Sequence, residues 1–166
     1  FRHGATSTSC SNPSHTYASA GIYTVALTVS GPGGSDTETK TSYITVYTPV
    51  SANFSAAPTN GPVSLLVSFT NLSSGDYTSC SWNFGDGSTS TSCSNTTHTY
   101  TSAGIYTVSL TVSGPGGSDT ETKVDYITAY APVMAIFSAT PTSGLAPVKI
   151  SFTNLSSGTL TSCAWD

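Results

Sequence analysis

The sequence TSCSWNFGDGSTSTSCS, residues 78–94, lies across the middle of the chain and decides the fold. Cys80, Trp82 and Phe84 alternate with polar residues, as side chains do on a strand that buries one face. The glycines of residues 85–87 interrupt this pattern and predict a tight turn. We therefore expect the two aromatic side chains to pack in a core and not to form a platform for a ligand.

The whole chain is an internal repeat without gaps. Phe1 aligns with Phe84, an offset of 83, and the same offset aligns Cys10 with Cys93, Tyr17 with Tyr100, Lys40 with Lys123, Phe69 with Phe152 and Cys80 with Cys163. Roughly seven in ten aligned positions are identical, which indicates a tandem array. The last residues, TSCAWD, repeat the first half of the central motif, and the first residues, FRHGATSTSCS, repeat its second half.

Two prolines that follow strand-like text mark the predicted domain boundaries, at Thr48-Pro49 and Ala131-Pro132. We predict that residues 1–48 are the C-terminal part of one domain. Residues 49–131 are then a complete domain, and residues 132–166 are the N-terminal part of the next.

The complete domain has the pattern of β structure throughout. The inward residues of two predicted strands are Val63, Leu65, Val67 and Phe69 in the first, and Tyr106, Val108, Leu110 and Val112 in the second. Gly-Pro-Gly-Gly at 114–117 predicts a turn into a last strand, 118–130. Asp119, Glu121 and Lys123 share one face of that strand, which we expect to be solvated. Six or seven short strands without helical periodicity predict an all-β protein built of sandwiches.

The composition excludes several classes of partner. Charged residues make up only 7% of the chain, with 4 basic and 8 acidic residues and a net charge of -4. This balance argues against nucleic acid and anionic membrane surfaces as partners. No run approaches the roughly 18 apolar residues of a membrane span, so we expect a protein that is not membrane-embedded. The four cysteines form no C-x-x-C pair, which favours disulfides in an oxidising, extracellular compartment over a zinc site.

Four stretches of the complete domain carry a family resemblance. CSWNFGDG at 80–87, followed by HTY at 98–100, AGIYTV at 103–108 and SDTETK at 118–123, resembles a PKD domain. The resemblance covers the whole chain as a partial, a full and a partial copy. It implies tandem immunoglobulin-like β-sandwiches on a cell surface or attached to secreted hydrolases, with no catalytic activity and no cofactor.

The chain departs from the family pattern in two places. The first copy has Arg2 and His3 where the second has Gly85 and Asp86, so a role that depends on this aspartate is not shared by both copies. The cysteines that flank the motif are not a general family feature, and they indicate a specialised, hardened member.

The polar residues of the motif have two candidate roles, one structural and the other the binding of calcium. His98 and its counterpart His15 are expected to be structural histidines bonded to the Gly-Asp-Gly turn, since no nucleophile elbow such as G-x-S-x-G is present. A calcium site at Asp86, or at Asp119 with Glu121, is the alternative. It would need several converging oxygen ligands, and the chain has no D-x-[DN]-x-[DN]-G loop.

Asn53, Asn71, Asn95 and Asn154 each begin the N-x-[ST] acceptor pattern for N-linked glycans. Such patterns arise easily by chance in text this rich in serine and threonine. Asn71 and Asn154 follow the same predicted strand, where an Asx-turn is the alternative explanation. The pattern at Asn12 is broken by a proline.

The repeat selects one disulfide pairing from the three that four cysteines allow. Cys80 and Cys93 close a loop of about 14 residues, which stabilises the fold by about 3 kcal/mol. By the same offset, Cys10 and Cys163 each require a partner in an adjacent copy.

These features predict a structural protein that assembles head to tail with identical copies. The two partial domains each expose an apolar face and unpaired strand edges, which favour pairing with another copy. Either the 166 residues belong to a longer covalent array, or discrete subunits complete one another and are sealed by an intermolecular disulfide. Such an extracellular fibre or stalk could also contact cell-surface glycans or other envelope proteins. The alternative is an adhesive array that binds polysaccharide or collagen for a secreted hydrolase, with Tyr47, Tyr77 and Tyr130 as exposed aromatic candidates.

Overall fold

A computed structural model describes residues 6–166, and all regular secondary structure in this part of the chain is β. The residues Phe1, Arg2 and His3 of the repeat comparison lie outside the described residues. The strands, in chain order, are β1 Gly21–Gly31, β2 Gly34–Val46, β3 Phe54–Ala57, β4 Asn60–Pro62, β5 Leu65–Asn71, β6 Ser79–Asn83, β7 Thr89–Ser90, β8 Thr96–Tyr100, β9 Gly104–Gly114, β10 Gly117–Tyr130, β11 Phe137–Thr140 and β12 Ser151–Asn154.

Strands β3 to β10 form a complete sandwich of two sheets. One sheet has the order β4-β10-β9-β6-β7 and the other has the order β3-β5-β8. All pairs are antiparallel except β10 with β4, which run parallel. Two packed sheets with inward-facing alternating residues are the arrangement of immunoglobulin-like domains. The predicted all-β sandwich is confirmed.

The core lies between the two sheets and consists of the inward residues that the alternation predicts. Its buried members are Ala52, Phe54, Leu65, Val67, Phe69, Cys80, Trp82, Phe84, Tyr100, Val108, Leu110, Val112, Ile127 and Ala129. Trp82 is fully buried, and its ring contacts Phe54 and Phe69 with centroid distances of 5.2 and 5.6 Å. The aromatic side chains of the motif are therefore core residues, as predicted.

The first predicted strand of the complete domain begins at Leu65 and not at Val63. Residues Asn60–Pro62 pair with β10, and Val63 N still donates to Tyr130 O at 2.9 Å. Ser64 then adopts a positive φ of 63°, and Leu65–Asn71 pairs with strands of the other sheet. The prediction of one strand through Val63 is wrong at its start, because the chain changes sheets at Ser64.

The charged residues of β10 lie on the inner side of the sheet and not on a solvated face. Asp119, Glu121 and Lys123 are opposite the buried Val112, Leu110 and Val108 of β9, and cross-strand partners share a face. All three are half-buried, at the rim of the sandwich. The Lys123 ammonium lies 5.2 Å from the centroid of the Phe54 ring, so its aliphatic stem covers part of the core.

The partial copies reproduce only those strands whose partners are present. β1 and β2 form a hairpin equivalent to β9 and β10, and β11 with β12 repeats β3 with β5. The predicted strand through Val148 and Ile150 is regular only over Ser151–Asn154. In the complete domain, Leu65 pairs with Tyr100 of β8, and the segment after β12 contains no counterpart of β8. Among the described residues, no helix is long and apolar enough to span a membrane.

Candidate functional site

The Gly-Asp-Gly turn of the motif is held by a short contact between Asp86 and His98. Oδ2 of Asp86 lies 2.6 Å from Nε2 of His98, and Oδ1 accepts a hydrogen bond of 2.9 Å from the Ser88 amide. The His98 ring stacks on Phe84 with a centroid distance of 4.4 Å and an interplanar angle of 4°. His98 therefore connects β8 to the turn, and its structural role stays a prediction that these contacts support.

The surroundings of the turn change the acidity of two groups. Burial alone would raise the pKa of Asp86, but hydrogen bonds from His98 and Ser88 and the charge of His98 outweigh it, so this pKa is lowered from 3.8. Burial raises the pKa of Tyr100, whose hydroxyl donates a hydrogen bond of 2.9 Å to Phe84 O. The phenol therefore remains a neutral hydrogen-bond donor inside the core.

The candidate calcium ligands each bind a protein partner and are not brought together. Oδ2 of Asp119 accepts a hydrogen bond of 2.7 Å from the Ala52 amide, and Glu121 pairs with Lys123 at 3.4 Å. Asp86 is bound to His98. Within residues 6–166, no group of three or more His, Cys, Asp or Glu side chains is placed to hold a metal ion.

The predicted disulfide between Cys80 and Cys93 is present, with a Cα–Cα distance of 5.2 Å. Two further hydrogen bonds fasten the loop that it closes. Trp82 Nε1 donates to Ser92 O at 2.9 Å, and Asn71 Nδ2 donates to Cys93 O at 2.9 Å. The disulfide thus joins strand β6 to the loop before β8 at the point where β5 ends.

Cys10 and Cys163 are free thiols, and both are exposed. They occupy the positions of Cys93 and Cys80, respectively, by the offset of 83. The pairing of these two residues between adjacent copies stays a prediction.

The inner face of the β1–β2 hairpin is open. Leu27 is 63% exposed and Val29 56% exposed, whereas their counterparts Leu110 and Val112 are fully buried. The local geometry is already that of the complete domain. Tyr17 contacts Tyr23 at a centroid distance of 4.4 Å, the same distance as between Tyr100 and Tyr106. What is missing in this partial copy is the opposing sheet.

The other partial copy exposes a preformed aromatic cluster. Phe137, Phe152 and Trp165 lie 5.4 to 6.3 Å apart between ring centroids. In the complete domain, the counterparts Phe54 and Phe69 lie 5.2 and 5.6 Å from Trp82. All three side chains of the partial copy are more than half exposed. They line an open concavity of about 950 Å³, and Cys163 lies in its wall.

The junction between units is a hydrogen-bonded contact that sequence reasoning missed. Thr48 N donates to Asp76 Oδ2 at 2.6 Å, and Asp76 N donates to Thr48 O at 3.1 Å. Gly116 N donates to Asp76 O at 3.0 Å, so the β9–β10 turn joins the same contact. A Cβ on Gly116 would collide with Thr48 O, and one on Gly75 would collide with Pro49 O. Since β2 ends at Val46, only one residue separates the strand from this contact.

The second junction lacks the carboxylate of the first. Ala131 and Thr159 are the counterparts of Thr48 and Asp76 by the offset of 83. Thr159 N lies 3.4 Å from Ala131 O, while a Cβ on Gly158 would collide with Pro132 O. The substitution of Asp76 by threonine in the other copy is the sequence signal that could have indicated this difference.

The four glycan acceptor candidates fall into two groups. Asn71 Oδ1 accepts a hydrogen bond of 3.0 Å from Ser73 N, and Asn154 Oδ1 accepts one of 2.9 Å from Ser156 N. These are the Asx-turns that were the alternative explanation for the two residues. Asn53 and Asn95 are exposed.

The aromatic residues of the adhesive alternative do not form one row. Tyr47 and Tyr130, which are counterparts, are 47% and 38% exposed. Tyr77 instead packs against the core of the complete domain.

Known proteins with similar sequence or structure include three solved chains. The PKD1 domain of Vibrio anguillarum Epp is 33% identical over 51% of this chain and 99% of that chain, with a TM-score of 0.41. The PKD1 domain of the Vibrio cholerae metalloprotease PrtV is 35% identical over 49% of this chain and 99% of that chain, with a TM-score of 0.41. A structure of promiscuous carbohydrate-binding modules of the β-sandwich superfamily is 21% identical over 58% of this chain, with a TM-score of 0.44. The chain spans half the length of that third structure.

The fold and its repeat define the class of protein as a tandem array of immunoglobulin-like sandwiches. The family model of the PKD domain matches residues 1–46 and 48–129. The chain belongs to the PKD domain family, whose members are generally non-catalytic modules.

Proposed function

We propose that this chain is a structural, non-catalytic part of an extracellular fibre or stalk. In this fibre, each open half-sandwich is completed by the complementary half of an adjacent copy of the repeat. The adjacent halves then form composite sandwiches equivalent to residues 49–131. The function is mechanical, because the units are stacked end to end through short junctions.

The observation that carries this proposal is the difference in exposure between identical residues of the two copies. Leu27 and Val29 have the same local strand structure as Leu110 and Val112, yet they are exposed where their counterparts are fully buried. Exposed apolar faces of this kind indicate an interaction surface. The complementary half of the sandwich fits this face, because the equivalent residues of the complete domain bury Leu110 and Val112.

The two half-sandwiches are also complementary in their strand edges. In the complete domain, β6 pairs with β9 and β8 pairs with β5. The counterparts of β6 and β8 are residues 162–166 and 13–17, and neither segment forms a strand here. Their partner strands, β1 and β12, lie in the opposite halves. When residues 132–166 of one copy join residues 1–48 of another, both missing strand pairings can form.

Burial of the exposed apolar side chains would favour assembly by a free energy similar in size to the cost of association. Leu27, Val29, Phe137, Phe152 and Trp165 would each gain about 1.5–3 kcal/mol on full burial, which is on the order of 10 kcal/mol together. Association costs a comparable amount in translational and rotational freedom. The strand ladders and a disulfide between Cys10 and Cys163 then decide how stable the fibre is.

The disulfide and the surface composition support the extracellular location in this proposal. Cys80 and Cys93 form a disulfide, and disulfides persist in oxidising compartments. A surface with few charges and many hydroxyl groups responds little to salt, which suits an exposed structural polymer.

Imaging and mass measurement of the native material test this function. We expect filaments or stalks with an axial repeat of two sandwiches. Discrete 17 kDa monomers with reactive thiols at Cys10 and Cys163 would contradict the proposal. Electrophoresis with and without a reducing agent separates the two ways in which copies can be joined, because a covalent array remains large in both lanes and a disulfide-linked polymer is released by reduction.

A further inference from the structure

We infer that Asn53 and Asn95 carry N-linked saccharides in the mature protein, whereas Asn71 does not. This modification does not depend on how copies assemble. The structure separates acceptor sequences that are indistinguishable in the sequence, because it shows which amide nitrogens are available.

Asn53 presents its side chain to solvent at the start of the three-stranded sheet. Its neighbours Ala52 and Phe54 are buried, with 7% and 1% exposure, so the alternation along the strand directs Asn53 outward. The backbone of Asn53 is fixed by Ser73 and Leu72, while its side-chain amide makes no hydrogen bond to any described residue. The amide is therefore held in place and free to react.

Asn95 lies at the same end of this sheet, directly before β8. It is exposed, and its Oδ1 accepts a hydrogen bond of 3.2 Å from Asn71 N. This contact orients the amide group, and Nδ2 has no partner among residues 6–166. The hydroxyl residue of its acceptor sequence, Thr97, is exposed as well.

Asn71 has the opposite arrangement. Its Nδ2 donates to Cys93 O at 2.9 Å and approaches Tyr77 Oη at 3.5 Å, and its Oδ1 accepts from Ser73 N. A saccharide on Nδ2 would displace the contact with Cys93, which fastens the disulfide loop to the end of β5. The fold therefore uses this amide internally.

The reaction is a substitution at the anomeric carbon of an activated sugar, with a glycosyl phosphate or diphosphate as the donor. A bond forms between Nδ2 and the anomeric carbon, and the bond from that carbon to the phosphate oxygen breaks. The phosphate leaves with the electron pair, and Nδ2 loses one proton. No oxidation or reduction occurs, and a transferase supplied by the cell performs the step.

Both acceptors belong to the complete domain alone. Ile136 replaces Asn53 in the following copy, and Pro13 breaks the acceptor sequence at Asn12 in the preceding one. Saccharides at these sites would therefore lie on the outer face of one sheet, and they would occur in only one of every two successive copies of the repeat. On a chain with only 7% charged residues, they would also shield exposed Leu72, whose amide binds Asn53 O at 2.9 Å.

Glycopeptide mass spectrometry of protein from its native source tests the inference. A protease of broad specificity is needed because the chain has only 4 lysine and arginine residues. We expect most peptides that contain Asn53 or Asn95 to carry saccharide, and release of that saccharide by an amidase to leave aspartate at both positions. Peptides that contain Asn71 should have their unmodified mass.

Three results would overturn the inference. They are unmodified asparagine at position 53 or 95 in most molecules, saccharide on Asn71, or saccharide whose release leaves both asparagines intact, as O-linked sugar on a neighbouring hydroxyl would. The variants Asn53→Gln and Asn95→Gln, produced in the native host, should each lose one saccharide. The matched Asn71→Gln variant should retain both.

Discussion

Thr48 and Asp76 hold one another by two hydrogen bonds, one of 2.6 Å from Thr48 N to Asp76 Oδ2 and one of 3.1 Å from Asp76 N to Thr48 O. This reciprocal pair anchors the chain two residues after Val46, where β2 ends. The corresponding pair at the next junction is Ala131 and Thr159, and it lacks the carboxylate. The two junctions of the chain therefore differ in how firmly the linker is attached to the sandwich.

The variant Asp76→Thr should remove the carboxylate from the first junction, as in the second. An exposed hydrogen bond of this kind contributes about 1 kcal/mol, so we expect exchange of the Thr48 amide hydrogen to accelerate by about 5-fold. Exchange in β9 should not change. The control is Asp36→Thr in β2, a strand that lies outside the complete domain, for which unchanged Thr48 exchange is expected. Equal Thr48 exchange in wild type and Asp76→Thr would contradict this account of the junction.

Replacement of both Cys80 and Cys93 by serine should lower the free energy of unfolding of the complete domain by about 3 kcal/mol, because the unfolded chain gains loop entropy. Urea titration followed by fluorescence measures this, since Trp82 is fully buried. The matched double variant Cys10→Ser with Cys163→Ser should leave the titration of the unassembled chain unchanged, because those thiols are free within one chain. A similar loss in both double variants would show that the disulfide does not act locally.

The complete domain should lose stability in acid through Asp86. The pKa of Asp86 is lowered in the folded state, so its stabilising contribution is present above the unfolded value of 3.8 and is lost as the pH falls through the lower, folded pKa. The variant Asp86→Asn should show a smaller loss of unfolding free energy between about pH 4 and pH 2. Urea midpoints across this range measure the effect, with Asp36→Asn as the control that should follow wild type. Identical pH profiles for wild type and Asp86→Asn would exclude this role.

The open face of the β1–β2 hairpin should not tolerate charge once copies assemble. Leu27→Asp would bury an unpaired carboxylate in the composite core, at a cost of several kcal/mol, and should abolish assembly. Thr37→Asp on the outer face is the matched control, because its counterpart Thr120 remains exposed in the complete domain. Sedimentation measures assembly, and the urea midpoint of the complete domain shows that it still folds. Assembly by the Leu27→Asp variant would mean that this face is not an interface.

The sequence was sufficient for the architecture because the alternation of apolar residues is regular and the repeat duplicates it. Trp82, Leu110 and Val112 are buried as their parity predicts. The strand break at Ser64 could not be predicted, since alternation continues through Val63 while the hydrogen bonds change sheets. Local pattern reports which face a residue occupies but not which sheet its strand joins.

The half-buried charges of β10 show a second limit of sequence reasoning. Charge led to the prediction of a solvated face for Lys123, but its stem covers Phe54 and its head remains accessible at the rim. The partners of Asp76 and Asp119 are backbone amides distant in sequence, at Thr48 and Ala52. Such partners have no residue signature, and only the structure reveals them.

The most direct test of composite sandwiches is disulfide mapping in the native assembly. Unreduced material is alkylated, digested and analysed for cross-linked peptides. Besides the Cys80–Cys93 pair, we predict a peptide in which Cys10 of one copy is joined to Cys163 of the copy before it. Alkylation of both Cys10 and Cys163 as free thiols in intact assemblies would contradict the account.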